Sequence, residues 1–173
     1  MKKGRRPDDP DSSQAAYARA LRWLMARELS SAQVRSRLEE AGYSDTAIDG
    51  AIRRLAEERT IDDKRAATAV ARTEARVRRH GPRRVMSKLL SMQFDRDLAT
   101  EIVREQFGED AEEQLLETTL DRRLRGKPER LNDPNERRKV HAFLVRQGFS
   151  AGASANAIRK IARESTQRRR DSD

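Results

Sequence analysis

The chain of 173 residues carries 38 Lys and Arg against 29 Asp and Glu, a formal net charge of +9, and has no cysteine and two histidines. The absence of cysteine excludes disulfides, thiolate zinc sites, iron–sulfur clusters and thiol catalysis. Leu, Ile, Val and Phe fill only 31 positions, which excludes one large buried core and leaves a folded reading dependent on regular apolar spacing. Residues 1–13, rich in charge and proline, read as a solvated tail. No apolar run approaches the length of a membrane span and no apolar stretch follows the basic start, so a cytoplasmic protein is expected.

From residue 14 onward, apolar residues recur at helical spacing. Ala16, Tyr17, Ala20, Leu21, Leu24 and Met25 form one stripe. Val34, Leu38 and Ala41 form a second, opened by the caps Ser30 and Ser31 and ended by Gly42. Ala47, Ile48, Ala51, Ile52 and Leu55 form a third behind the cap Ser44. No useful strand-period alternation occurs, and the fold class is all-α.

The three helices then repeat. Val34, Leu38 and Tyr43 are echoed by Val85, Leu89 and Phe94, and again by Val140, Leu144 and Phe149. Behind each aromatic stands a capping residue: Ser44, Asp95, Ser150. Each repeat of about 50 residues is too small to bury much surface alone, so neighbours must stack. The expected organisation is three tandem three-helix repeats forming an elongated, curved modular structure. The repeats span 14–60, 61–108 and 109–164, with a loop or hinge at 126–135 and a second tail at 165–173. Because Gly152 is a poor helix former, the last helix is expected to form properly only from about Ala155.

Four segments in order carry a resemblance: SAQVRSRLEEAG at 31–42, IDD at 61–63, GPRRVMSKL at 81–89 and FLVRQGF at 143–149. With the threefold repeat, the chain from about Ala15 to Arg163 resembles the RecX family, bacterial regulators of the recombinase RecA. The family usually has an aromatic followed by alanine three residues after its Asp-Asp pair. Here Ala66 and Ala67 stand there, which weakens the expected packing between the first two repeats. The resemblance implies a non-enzymatic modulator without cofactors, lying in the groove of the RecA–DNA filament. It would affect, and most directly inhibit, filament growth, ATP turnover and strand exchange in recombination, DNA repair and the SOS response. Some family members also bind DNA, so single- or double-stranded DNA is a further expected partner. A monomer is expected.

Two basic clusters are the candidate contact residues. The first holds Arg72, Arg76, Arg78, Arg79, Arg83, Arg84, Lys88 and Arg96 against only Glu74 and Asp95. Its candidate binding residues are Arg72, Arg76, Arg79, Arg83, Arg84 and Lys88. Arg76, Arg79 and Arg83 share a face if the helix runs to the Gly81–Pro82 break, and Arg84 and Lys88 project together. The second holds Arg122, Arg123, Arg125, Lys127 and Arg130, then Arg137, Arg138 and Lys139. Guanidinium forks suit phosphate and carboxylate oxygens; a solvated face with internal ion pairs is the competing account of any single arginine.

Between the clusters runs an acidic stretch: Glu101, Glu105, Glu109, Asp110, Glu112, Glu113, Glu117 and Asp121, opposed by Arg104. It is either a face for a basic partner or, for Glu109 to Glu113, favourable charge at a helix start. Asp62 and Asp63 read as helix caps rather than metal ligands. Tyr43, Phe94 and Phe149 read as core plugs rather than base-stacking platforms. Trp23 either packs against another repeat or meets a partner. His80 reads as part of a helix end and His141 as a solvated flank. No nucleophile–base pair and no phosphate loop occurs, so catalysis and ATP binding are not expected. The alternative to RecA regulation is a sequence-independent DNA-binding protein of tandem helical modules. A third reading is an adaptor for another acidic protein.

Overall fold

The computed structural model describes residues 7–108 and 110–170; Glu109 and the ends at 1–6 and 171–173, which the readings above included, lie outside them. The described residues form α-helices joined by short turns, with no strand: α1 Ser13–Leu24, α2 Ser31–Glu40, α3 Asp45–Glu57, α4 Asp63–Arg72, α5 Pro82–Ser91, α6 Arg96–Gln106, α7 Ala111–Leu124, α8 Pro134–Gln147 and α9 Ala151–Arg170. A π turn, Thr73–Val77, prolongs α4, and a 3-10 turn, Pro128–Asn132, joins α7 to α8.

The repeat legible in the sequence recurs in local geometry. Val34, Val85 and Val140, and Leu38, Leu89 and Leu144, are all buried. After each leucine the chain passes through a left-handed residue: Gly42, Gln93 and Gly148. The next amide, of Tyr43, Phe94 or Phe149, donates to that leucine's carbonyl at 3.1, 3.2 and 3.2 Å. Each aromatic ring is buried, so all three plug the core. Each next helix is capped by the following side chain: Ser44 accepts from Ala47 N, Asp95 from Leu98 N and Ser150 from Ala153 N.

By contacts the chain divides into two units. One takes the residues up to Val70 together with Leu89–Ala99; the other takes Ala71–Lys88 together with the chain from Thr100. In the first unit, Ala16 and Ala20 of α1 lie against Ala47, Ile48, Ala51 and Leu55 of α3, with Val34 and Leu38 of α2 completing the core. Small side chains permit this approach; a Cβ on Gly50 would come within 2.6 Å of Ser13 Oγ. Trp23 packs on this same core, between the guanidinium groups of Arg19 and Arg37, 6.0 and 5.7 Å from its ring centroid. Asp62 caps α4 by accepting from Arg65 N at 2.9 Å. Asp63 reaches back to Ser31, N at 2.8 Å and Oγ at 2.6 Å. Ala66 and Ala67 are both buried.

In the second unit, Leu116, Leu120 and Leu124 of α7, Leu131, Val140 and Leu144, Phe149 and Ile158 form the core. The segments 81–89 and 143–149 meet here. Gly81 N donates to Gln147 O at 2.8 Å and Arg83 N to Gly148 O at 3.1 Å. A Cβ on Gly81 would lie 2.7 Å from the Gly148 carbonyl carbon.

Of the two expectations for segment 126–135, the structure has the loop, and it is anchored: Leu131 is fully buried in the 3-10 turn, and Arg137 Nη1 donates to its carbonyl at 2.9 Å. The last helix differs from expectation at both ends. Helix α9 begins at Ala151, not near Ala155, because the Ser150 cap satisfies its first turn and Gly152 meets nothing within 4 Å. It also runs on to Arg170 rather than yielding to a tail at 165, because Ile158, Ile161, Ala162 and Ser165 continue one helical stripe and no breaker interrupts it.

Candidate anion-binding cleft

The site is built from three helix ends in the second unit. The first is the π turn. Ala71 and Ala75 bury this stretch, and Glu74 is carried inside with them, 4% exposed. Its carboxylate is satisfied there by His80 Nδ1 at 2.6 Å and Arg78 Nη1 at 3.1 Å. The widened turn interrupts the α-helical periodicity. Arg79 then adopts φ 56° and ends the segment. The continuous helical face that would align Arg76, Arg79 and Arg83 therefore does not form, and Arg78 and Arg79 are redirected.

The second end is that of α7. Its buried leucines fix the opposite face, and Arg122 and Arg123 occupy its last turn, where cations favour the helix dipole. Arg125 caps it in the left-handed conformation, φ 55°. The third contribution is from α8, whose Phe143 packs on the core with the Arg123 guanidinium 5.1 Å from its ring centroid. Together Arg78, Arg79, Thr119, Arg122, Arg123, Arg125, Phe143 and Gln147 line a cleft of about 440 Å³. Among the described residues, five guanidinium groups line it and no carboxylate does.

Residues from two clusters more than 40 positions apart thus meet. Arg72, Arg76 and Arg83 are exposed outside the cleft. Arg84 donates to the Arg146 carbonyl at 3.0 Å, Lys88 is half-buried and Lys127 is exposed. The remaining cations of the second cluster have partners within the chain. Arg130 and Lys139 pair with Glu136 at 2.7 and 3.0 Å, and these two hydrogen bonds, Lys139 first, hold its carboxyl below the usual glutamate range. Arg137 holds the 3-10 turn, and Arg138 reaches the Asn135 side chain. Arg137 and Arg138 also line a smaller concavity of about 290 Å³ with His141, Ile158 and Arg159. Part of the acidic stretch is paired within the chain at its surface: Lys160 Nζ lies 2.7 Å from Glu117 and 3.8 Å from Glu113.

Sequence reasoning passed over Arg78, Thr119, Phe143 and Gln147 as site residues. Thr119 carries a signal: it is a polar side chain three residues after Leu116 and next to Leu120, on the stripe that faces the core. No helix among the described residues is long and apolar enough to cross a membrane.

The model of the first three-helix domain of RecX matches residues 16–55. The chain is 30% identical to the regulatory protein RecX of Prosthecochloris aestuarii, over 79% of this chain and 86% of that protein. It is 30% identical to that of Ectopseudomonas mendocina, over 86% of this chain and 96% of that protein. The crystal structure of RecX from Lactobacillus salivarius superposes with a TM-score of 0.74 at 19% identity, covering 86% of this chain and 96% of that one. The solved structure shares the helical fold, and 30% identity over about four fifths or more of both chains places this chain in the RecX family of regulatory proteins.

Proposed function

We propose that the chain regulates RecA by lying in the groove of the RecA–DNA filament and inhibiting filament growth, ATP turnover and strand exchange. Membership in the RecX family carries this reading. The physical support is a chain with net charge +9 whose helical repeats offer several weak contacts in series, each raising the effective concentration of the next. Arg72, Arg76 and Arg83, all exposed, are the cations we assign to the filament. The test is RecA assembly on single-stranded DNA, with ATP turnover read in parallel. The chain should slow growth and lower turnover. The Arg72→Glu, Arg76→Glu, Arg83→Glu variant should need about tenfold more protein for the same effect, with unchanged helicity. Unaltered growth and turnover at saturating protein would refute the proposal.

A second reading, sequence-independent DNA binding, is favoured by the five-arginine cleft without a lining carboxylate. Pure phosphate binding weakens with salt by a log–log slope of about −0.9 per duplex phosphate neutralised. Binding to RecA without DNA, persisting at moderate salt, separates the first reading from the second.

A further inference from the structure

We propose that the arginine cleft of the second unit is a binding site for an oligophosphate, with the buried Thr119 hydroxyl as its innermost hydrogen-bond donor. The inference rests on the cleft alone and requires no RecA.

Charge is the first argument. Arg78, Arg79, Arg122, Arg123 and Arg125 place five positive charges around about 440 Å³. Two helix C-termini, at the π turn and at α7, offset each other's arginines only by roughly half a charge apiece. The Glu74 carboxylate, bonded to Arg78, offsets one more. A net positive charge of about three therefore remains, which a single carboxylate or phosphodiester leaves largely uncompensated. Two or three adjacent phosphates match it, and guanidinium forks suit tetrahedral oxygens. The α7 dipole accounts for a cation or two in the last turn of that helix, but it does not explain why Arg78 and Arg79 arrive at the same place from elsewhere.

The second argument is independent of charge. Thr119 lines the cleft, is 5% exposed, and its hydroxyl has no hydrogen-bond partner. A helical threonine has a ready solution in the carbonyl four residues back, which the neighbouring Thr118 uses, donating to Gln114 O at 2.8 Å. Thr119 does not. A buried, unpartnered hydroxyl is costly, and one on the wall of a cation-rich cleft is placed to donate to an oxyanion. Both arginine-bearing termini also hold non-glycine residues at positive φ, Arg79 at 56° and Arg125 at 55°. Glycine would relieve this conformation but would remove the guanidinium.

The test uses the full chain and inorganic tripolyphosphate, with affinity read by calorimetry at fixed ionic strength. The Arg122→Ala, Arg125→Ala double variant should lose on the order of tenfold per guanidinium. Arg27→Ala, altering an exposed cation of the other unit, should bind as the parent does. Thr119→Val is the decisive variant. It should melt no lower than the parent, because the orphan hydroxyl is gone, yet bind roughly fivefold more weakly. Competition with an oligo-dT strand identifies the source. If the strand displaces tripolyphosphate, the phosphates are those of a nucleic-acid backbone; if it does not, a free oligophosphate is the ligand. Absence of tripolyphosphate binding, or equal affinity in the double variant and the parent, would overturn the site. Equal affinity in Thr119→Val would overturn the assigned role of the hydroxyl. None of these outcomes depends on RecA, so failure here leaves the filament reading standing.

Discussion

Replacing Gly81 with alanine tests the joint on which the second unit is built. A Cβ at this position would lie 2.7 Å from the Gly148 carbonyl carbon, 2.8 Å from its oxygen and 2.8 Å from Phe149 N. Carbon atoms pack best at about 3.5–4.0 Å, so the overlap is close to 1 Å, and every atom met is backbone. The two segments cannot separate cheaply, because the hydrogen bonds Gly81 N to Gln147 O and Arg83 N to Gly148 O span the same gap at 2.8 and 3.1 Å. Overpacking costs about 1–3 kcal/mol, and weakening one of these bonds adds about 1 kcal/mol. The expected loss is therefore about 2–4 kcal/mol. With an m of about 2 kcal/mol/M in urea, the midpoint should fall by about 1–2 M with m unchanged. Gly152→Ala is the internal control: nothing lies within 4 Å of its added Cβ, and it should gain up to about 1 kcal/mol. A Gly81→Ala protein whose midpoint moves by less than about 0.2 M would refute the close approach of these two segments.

Two further outcomes follow from the polar interior and the caps. Glu74→Ala leaves His80, 9% exposed, without the carboxylate 2.6 Å away, so urea denaturation should show a loss of about 1–3 kcal/mol, with Glu74→Gln milder. The Asp95 carboxyl is held below the usual aspartate range by the backbone amides of Leu98 and Asp97. Its folded value is depressed, so the stabilisation is present above the unfolded value and is lost as pH falls through the folded one. The midpoint difference between the parent and Asp95→Ala should thus be full at pH 6 and shrink steadily below about pH 4; a difference independent of pH would count against the cap.

The helices were legible because burial on one face enforces a spacing of three and four, and the three Val–Leu–aromatic sets kept that spacing at fixed separations. The cleft was legible only in part. Arg79, Arg122, Arg123 and Arg125 stood out as charge, but periodicity says nothing about residues 40 positions apart meeting. Glu74 was opaque for another reason: a lone glutamate in a basic run reads as solvated, whereas here it is buried between His80 and Arg78. The π turn adds backbone without any residue type that announces it, and it is this turn that breaks the expected arginine face. The segment 126–135 was legible as a loop but not as an anchored one. Two prolines and a glycine signal a turn correctly, but a single leucine, Leu131, decides that the turn is anchored in the core.

A helix start meets the turn before an aromatic plug twice, once through a side chain and once through backbone. The start of α2 meets the end of α5 through Ser30 Oγ, which donates to Met92 O at 2.7 Å. The start of α5 meets the end of α8 through Gly81 N and Gln147 O. In both, a helix end whose backbone groups lack partners inside its own helix is joined to the turn before the next aromatic plug. At the second joint the close backbone approach adds to the burial supplied by Leu144 and Phe149. The start of α8 is the third such end, and there the chain's own charges take the place of a joint: Arg130 and Lys139 on Glu136, and Arg137 on the carbonyl of Leu131. Arg130, Arg137 and Lys139 thus have partners within the chain, whereas the arginines at 78–79 and 122–125 gather around one cleft, and it is these that the oligophosphate proposal uses.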